Sequence, residues 1–168
     1  MIGLDATINT LKTEFDTRLF TDVVGNTYAS YGRAFWTKRK GNDVPELQIA
    51  SSKEYQDCLP NDSIDGHSFF LAEPEIEAIN EVDLKATVGI YFAVNLDVLY
   101  PSVTERAVEY LHRDVLQILG DSPFEISKIV QGSTAFERFG FVKDSDTLEP
   151  FYLVRFDTEV IYNETCTN

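Results

Sequence analysis

The sequence predicts an α+β protein in which a mixed, mainly antiparallel sheet packs against two amphipathic helices and carries a projecting β-hairpin. Three observations support this prediction. Two segments repeat apolar residues at helical spacing, several others alternate apolar and polar residues as strands do, and turn residues separate them. At 168 residues, of which 43% are hydrophobic, the chain can bury a core of its own, so we expect a single domain over 1–168.

The first helix is expected over residues 4–20. Its apolar residues recur at spacings of three and four and share one face: Leu4, Ile8, Leu11, Phe15 and Leu19. Glu14 and Arg18 are one turn apart and predict an ion pair. Residues 21–30 include the dipeptide at 25–26, Gly then Asn, which predicts a loop.

A β-hairpin is expected over residues 31–50, because two strand-like arms flank turn residues at positions 40–43. The tip is basic, with further cations at Arg33 and Lys53. The pattern fits a solvated hairpin end and a patch that docks on an acidic surface about equally. The candidate contact residues in this segment are Arg33, Phe35, Trp36, Lys38, Arg39 and Lys40.

Residues 51–83 form an acidic segment that is expected to be irregular. Between positions 54 and 83 there are nine acidic residues and no lysine or arginine. A short strand is expected at 68–72, and the alternation of Glu73, Glu75 and Glu77 with less polar residues extends it with one acidic face. A run of one charge is usually a solvated face. These three glutamates are also the candidate complement of the basic tip.

A core strand–helix unit is expected over residues 86–119. The even positions from 88 to 98 are all apolar, which predicts a strand with one buried face. Ser102 and Glu105 form a capping-box sequence for a helix that reaches Leu119, with Gly120 as its C-terminal cap. The apolar face of this helix contains Val108, Leu111, Val115 and Ile118. Glu109 and Arg113 are one turn apart and predict an ion pair.

The C-terminal part, residues 124–162, predicts three strands. They are expected at 124–130, at 135–142 and at 152–162, the last from a clear alternation of apolar and charged residues.

The charge and the motifs exclude several classes of protein. A net charge of −14 argues against a general nucleic-acid or membrane binder, and no apolar run has membrane-spanning length. The N-terminus lacks the basic start and apolar stretch of a secretory signal. Cys58 and Cys166 are too few and too far apart for a disulfide framework or a zinc site.

No catalytic constellation is evident. His67 and His112 are the only histidines, and their positions fit no metal-ligand spacing. The loop at 62–66 is similar to a calcium loop but places Ala72 where the bidentate glutamate belongs. Glu46 could belong to half of a nuclease motif, which would also need a positioned aspartate. We therefore expect no enzyme activity, no cofactor and no metal.

The element order resembles that of phage tail terminator proteins, also called tail completion or neck proteins. The resemblance consists of an N-terminal amphipathic helix at 4–20, a projecting hairpin at 34–49, a long strand with a following helix at 86–119, and terminal strands at 124–162. It is a resemblance of architecture that covers most of the chain and involves no signature motif. The acidic segment 51–83 is unusual beside the smaller members of that family.

The resemblance implies a virion structural protein that assembles in the bacterial cytoplasm and resides in the neck of the virion. Members of that family form six-fold rings that cap the tail tube, stop its growth and join it to the head connector. It thus implies that the partners are further copies of the chain, the tail tube protein and the head connector protein, with DNA only as passing cargo. An acidic surface repels the phosphates of DNA and therefore suits a channel through which DNA must pass.

Two alternatives belong to different classes of protein. The runner-up is an acidic inhibitor of a basic nuclease, such as an immunity protein or a DNA mimic, because clustered carboxylates steer toward a basic target. The basic tip at Lys38, Arg39 and Lys40 counts against a pure mimic. An enzyme is the third alternative and the least supported by the residues.

Overall fold

The structure is a computed structural model that describes residues 3–21, 28–39, 42–48, 55–57, 64–139 and 150–163. Side-chain surroundings are described in these ranges except at 36–39, 42–48 and 55–57. The elements are α1 (Leu4–Arg18), β1 (Tyr28–Arg33), β2 (Phe35–Arg39), β3 (Asn42–Gln48), β4 (Tyr55–Asp57), β5 (Gly66–Ala78), β6 (Asp83–Asn95), α2 (Leu96–Leu99), α3 (Ala107–Gly120), β7 (Phe124–Gln131), a 3-10 segment (Gly132–Phe139) and β8 (Phe151–Asn163).

The main sheet has five strands in the order β1-β5-β6-β8-β7. β1 runs parallel to β5, and the other neighbouring pairs are antiparallel. β6 pairs with β8 along its whole length, from Asp83 opposite Asn163 to Asn95 opposite Phe151. A separate antiparallel sheet contains β2, β3 and β4. The predicted α+β class with a mixed, mainly antiparallel sheet is therefore confirmed.

The principal core lies between the sheet and the two long helices. The even-numbered side chains of β6 from Ala86 to Val94 are buried in it, as the alternation predicted. From the helices, the predicted apolar faces are buried: Leu4, Ile8, Leu11, Phe15 and Leu19 from the α1 region, and Leu111, Val115 and Ile118 from α3. Val108 is only half-buried. Phe92 and Leu111 are both fully buried in this core.

A second, smaller core covers the opposite face of the sheet. Phe69 of β5 and Tyr91 of β6 stack there with ring centroids 4.8 Å apart. Phe136 and Phe139 of the 3-10 segment pack against both rings. These two phenylalanines are three residues apart, so they share a face of a helix with three residues per turn. The strand predicted at 135–142 is therefore wrong for residues 135–139, and residues 140–142 lie outside the described ranges.

The first strand begins inside the predicted loop at 21–30 and changes the bounds of the hairpin. Tyr28–Arg33 pairs with β5, so residues 31–33 belong to the main sheet and the hairpin itself consists of β2 and β3. β1 shows little apolar alternation, and a tertiary contact positions it. A Cβ on Gly66 would lie 2.4 Å from the Tyr28 ring, so this close approach requires glycine.

The acidic segment at 51–83 is more regular than predicted. β5 runs from Gly66 to Ala78 without a break in the strand, and β6 already begins at Asp83. The first six residues of β5 are buried on both faces and therefore show no alternation in polarity. The later residues form, with the start of β6, an arm with an acidic exterior. We call residues 73–85 the acidic arm.

The core strand ends earlier than its alternation suggested, and its helix begins later. The Asn95 side chain accepts a hydrogen bond from the Asp97 amide and starts the helical turn α2, which contains Leu96 and Val98. α3 begins at Ala107 after Arg106, whose φ of 64° lies in the left-handed region, and no side chain caps it. The predicted capping box is therefore wrong, and Gly120 is the last helical residue rather than the cap.

One of the two ion pairs predicted on the helices is present. Arg18 Nη1 lies 3.4 Å from Glu14 Oε2. Arg113 instead pairs with its neighbour Asp114 at 2.7 Å, and Glu109 lies 3.8 Å from Arg106. The predicted pair between Glu109 and Arg113 is therefore wrong.

Candidate interaction surface

Two predicted contact glutamates of the acidic arm form ion pairs within the subunit. Arg138 Nη1 of the 3-10 segment lies 2.5 Å from Glu73 Oε1, and Lys85 Nζ lies 2.9 Å from Glu77 Oε2. Hydrogen bonding to these carboxylates raises the pKa of Arg138 and of Lys85. Neither cation belongs to the basic segment at 33–53. The two oppositely charged segments therefore do not neutralise each other at Glu73 and Glu77.

Two other carboxylates of the acidic arm have no such partner. Glu75 and Glu81 are exposed and form no ion pair with any described residue. Among the described lysine and arginine side chains, Lys128 is the one that forms no ion pair; the remainder each pair with a carboxylate. The described surface therefore carries an excess of negative charge, and part of it lies on this arm.

Within the basic segment at 33–53, the structure describes the side chains of the first residues, 33–35. Arg33 Nη1 lies 3.4 Å from Asp5 Oδ1, and its guanidinium carbon lies 5.2 Å from the centre of the Phe35 ring. Phe35 is 38% exposed. Trp36, Lys38 and Arg39 belong to β2, but their side chains lie outside the described part, as does all of Lys40. The structure thus brings two of the six predicted basic and aromatic residues into contact with each other.

Large aliphatic side chains are exposed at the end of the acidic arm, a feature that sequence reasoning missed. Ile76, Ile79 and Val82 are 49%, 46% and 49% exposed, and Ile161 on β8 is 54% exposed. Ile161 lies opposite Lys85 in the register of the sheet. The sequence signal was present as aliphatic residues at 76, 79 and 82 within an acidic stretch, but the alternation placed Ile76 on an inner face.

The turn of the acidic arm is held by its own hydrogen bonds. Asn80 Oδ1 accepts from the amides of Val82 and Asp83 at 2.9 and 2.8 Å, and the Ile79 amide donates to the Asp83 carbonyl. Ile79 and Val82 are therefore presented on an ordered turn, and Ile76 lies on the adjoining part of β5 opposite Ala86. This matters for binding, because a preformed surface loses less conformational entropy on association.

A polar cleft of about 470 Å³ lies beside the 3-10 segment. Three basic and two acidic side chains line it: Lys128, Arg138, Arg155, Glu73 and Glu137. Arg155 also pairs with Asp157 at 2.7 Å. The Tyr91 hydroxyl is buried beneath these arginines, and burial raises its pKa more than they lower it. Arg138 and Arg155 are thus engaged in ion pairs, and among the described residues no base lies beside a nucleophile in this cleft.

An apolar groove of about 560 Å³ separates α1 from the end of α3. Leu11 and Ile118 line its floor, and Arg18 bridges its mouth to Asp121 at 2.9 Å. Glu14 also lines the groove, so its rim is mainly acidic.

Neither histidine is placed for catalysis. His67 is buried between aromatic rings of the smaller core. His112 Nε2 lies 3.2 Å from the Tyr152 hydroxyl, which donates to Gln131 Oε1 at 2.9 Å and can therefore accept from the imidazole. Burial lowers the pKa of His112 and raises that of Tyr152 to about 12.

The described ranges contain no group of three or more His, Cys, Asp or Glu side chains arranged to hold a metal ion. No described helix has both the length and the apolar character needed to cross a bilayer. Glu46 belongs to β3, and its side chain lies outside the described part. Comparison with protein-family models and with curated proteins finds no match for this chain.

Proposed function

We propose that this chain is a virion assembly protein that forms a head-to-tail ring at the head–tail junction of a phage. In this role it terminates the tail tube and joins it to the head connector, and DNA passes through without specific recognition. The partners are further copies of the chain, the tail tube protein and the connector protein. The basis is the architectural resemblance of an N-terminal helix, a hairpin, a long strand with its helix, and terminal strands.

The observation that carries the proposal is the separation of charge along one chain. Glu75 and Glu81 form no ion pair with a described residue, and Glu73 and Glu77 pair with cations outside the basic segment. A ring needs two different, complementary patches on every subunit, because its contacts are heterologous. In the sequence, the acidic arm and the basic segment at 33–53 carry charges of opposite sign. Charge then sets the register and the association rate, which should fall with added salt.

The experiment compares two triple variants with the same change in net charge. In the first, Lys38, Arg39 and Lys40 are replaced by glutamate, which reverses the hairpin tip. In the control, Lys12, Arg106 and Lys128 are replaced by glutamate at three separate surface sites. Oligomer mass is measured by sedimentation and by negative-stain imaging at high protein concentration, with and without purified tail tubes. We expect rings from the wild type and the control and none from the tip variant.

Circular dichroism establishes that both variants remain folded. Equal oligomer mass and equal binding to tail tubes for the folded tip variant and the wild type would show that the tip is merely solvated. A wild-type chain that forms no closed ring, alone or on tail tubes, would contradict the proposed function.

The second candidate function is inhibition of a basic nuclease. The exposed carboxylates Glu75 and Glu81 favour it, because an inhibitor of this kind presents acidic groups to a basic active site. The same tip variant separates the two proposals. An inhibitor that binds through the acidic arm would keep its affinity for the nuclease after Lys38, Arg39 and Lys40 are reversed, whereas the ring would be lost.

A further inference from the structure

We propose that the exposed aliphatic end of the acidic arm is the apolar centre of the contact between subunits, and that it docks on Phe35 and Arg33 of the next copy. This inference rests on the proposed function, since it names the surfaces through which the proposed ring would assemble. It assigns a role to Ile76, Ile79 and Val82, which the described part of the chain leaves about half exposed.

The apolar contribution to affinity is the first argument. Exposed ion pairs contribute little to affinity, so charge alone does not hold a ring together. Ile79 and Val82 are about half exposed on a turn fixed by Asn80, and Ile76 is about half exposed on the adjoining part of β5. Single exposed apolar residues are normal, but several at one projecting end are typical of a contact surface.

The identity of the partner follows from charge. Glu75 and Glu81 flank the aliphatic residues and form no ion pair with a described residue. Two arm ends that met each other would bring these carboxylates together, so a symmetric contact between arms is disfavoured. The groove between α1 and α3 is apolar, but Glu14 and Asp121 line it, which disfavours it for the same reason.

The basic segment of another copy satisfies both requirements. Phe35 is 38% exposed and lies against the Arg33 guanidinium, which gives an apolar ring beside a cation. Aromatic residues and arginine are the residue types most often found at energetically important positions of interfaces. Arg33 thus offers a cation to the carboxylates of Glu75 and Glu81.

The first test removes the aliphatic side chains without altering charge. A variant with Ile79→Ser and Val82→Ser is compared with Leu116→Ser on α3, where Leu116 is 43% exposed and outside the proposed contact. We expect the arm variant to associate about tenfold or more weakly by sedimentation, because it loses the favourable burial of two aliphatic side chains. We expect the control to associate like the wild type. Equal association of the arm variant and the wild type would overturn the inference.

The second test uses disulfide cross-linking in a background in which Cys58 and Cys166 are replaced by serine. Copies with Val82→Cys are mixed with copies with Phe35→Cys and oxidised mildly. We expect disulfide-linked dimers in the mixture and not from either variant alone. Copies with Leu116→Cys mixed with Phe35→Cys serve as the control and should remain unlinked. Cross-links within either single variant, or equally with the control, would overturn the inference.

The two tests separate this inference from the proposed function. Rings in negative-stain images without the cross-link between positions 82 and 35 would contradict the proposed contact. They would still support the proposed ring. The cross-link together with a closed two-subunit particle would overturn the ring and leave the contact standing. A wild-type chain that remains monomeric on tail tubes and gives no cross-link would overturn both.

Discussion

The Phe92 ring stands edge-on against the Phe15 ring, with centroids 5.1 Å apart and planes inclined at 82°. Phe92 lies on β6 and Phe15 on α1, so this contact joins the middle strand of the sheet to the first helix. Phe156 of β8 meets Phe92 at 5.8 Å and 85°. All three rings are fully buried. Edge-to-face pairs of this kind add to the stabilisation that burial provides.

Replacing Phe92 by alanine should destabilise the protein strongly. The substitution removes both ring contacts and leaves a cavity between sheet and helix, which typically costs about 3–5 kcal/mol. The measurement is the free energy of unfolding in urea. The matched control is Ile161→Ala on the neighbouring strand, where the side chain is 54% exposed and the loss should stay below about 1 kcal/mol. A loss below about 1 kcal/mol for Phe92→Ala would remove this strand from the core.

The ion pair between Glu73 and Arg138 should contribute little to stability despite its short distance. The two side chains are 38% and 34% exposed, and pairs of this kind have coupling energies of about 0–1 kcal/mol. A double-mutant cycle with Glu73→Gln and Arg138→Gln, measured by urea unfolding at low and high salt, gives the coupling energy directly. We expect it to fall as salt is added. A coupling energy above about 2 kcal/mol that salt leaves unchanged would contradict this view of the pair.

His112 should make the protein less stable in weak acid. Burial lowers the pKa of His112 in the folded state below its ordinary value of 6.5, so protonation favours the unfolded chain. The contribution is present above pH 6.5 and is lost as the pH falls. We expect His112→Gln, which can still bond to the Tyr152 hydroxyl, to lose less free energy of unfolding than the wild type between pH 7.5 and about 5.5. Equal losses in the two proteins would show that His112 does not contribute.

The chain should show no hydrolase or nuclease activity. Within the described ranges no base is positioned beside a nucleophile, and no cluster of ligands for a metal ion is found. The assay is cleavage of single- and double-stranded DNA with Mg²⁺ or Mn²⁺, and the informative variant is Glu46→Gln. Metal-dependent cleavage by the wild type that this variant abolishes would assign catalysis to β3.

The parts of the fold that the sequence predicts well are those where burial on one face imposes a period. The α1 stripe and the even positions of β6 from 86 to 94 are examples. The prediction fails where buried residues do not recur at a regular spacing along the chain. The start of β5 is covered on both faces, and residues 132–139 fold as a 3-10 segment because Phe136 and Phe139 reach the Tyr91 ring. Local hydrogen bonds override the pattern at Asn95, where α2 interrupts the alternation.

The candidate surface was only partly predictable for a related reason. The sign of the charge on each segment is visible in the sequence, but its pairing partners are not. Glu73 forms an ion pair with Arg138, which is 65 residues away, and Glu77 forms one with Lys85 across the arm. The first pair depends on the position of the 3-10 segment, and the second depends on the register of the sheet. The exposure of Ile79 and Val82 depends on how far the arm extends beyond its neighbours, which no local pattern encodes.

The outer edge of β5 is poorly suited to pair with a strand of another copy. Beyond Phe70 no described strand pairs with this edge, the register shifts between Ala72 and Ile76, and Pro74 removes an amide donor. An edge with an irregular register and a missing amide donor is a poor template for another strand, so it resists fibril growth by continuous hydrogen bonding. Under the proposed function, copies would then meet through side chains, whose shapes fix the angle of each contact. Contacts at a fixed angle allow a closed ring with a defined number of subunits, whereas edge-to-edge strand pairing would extend without limit.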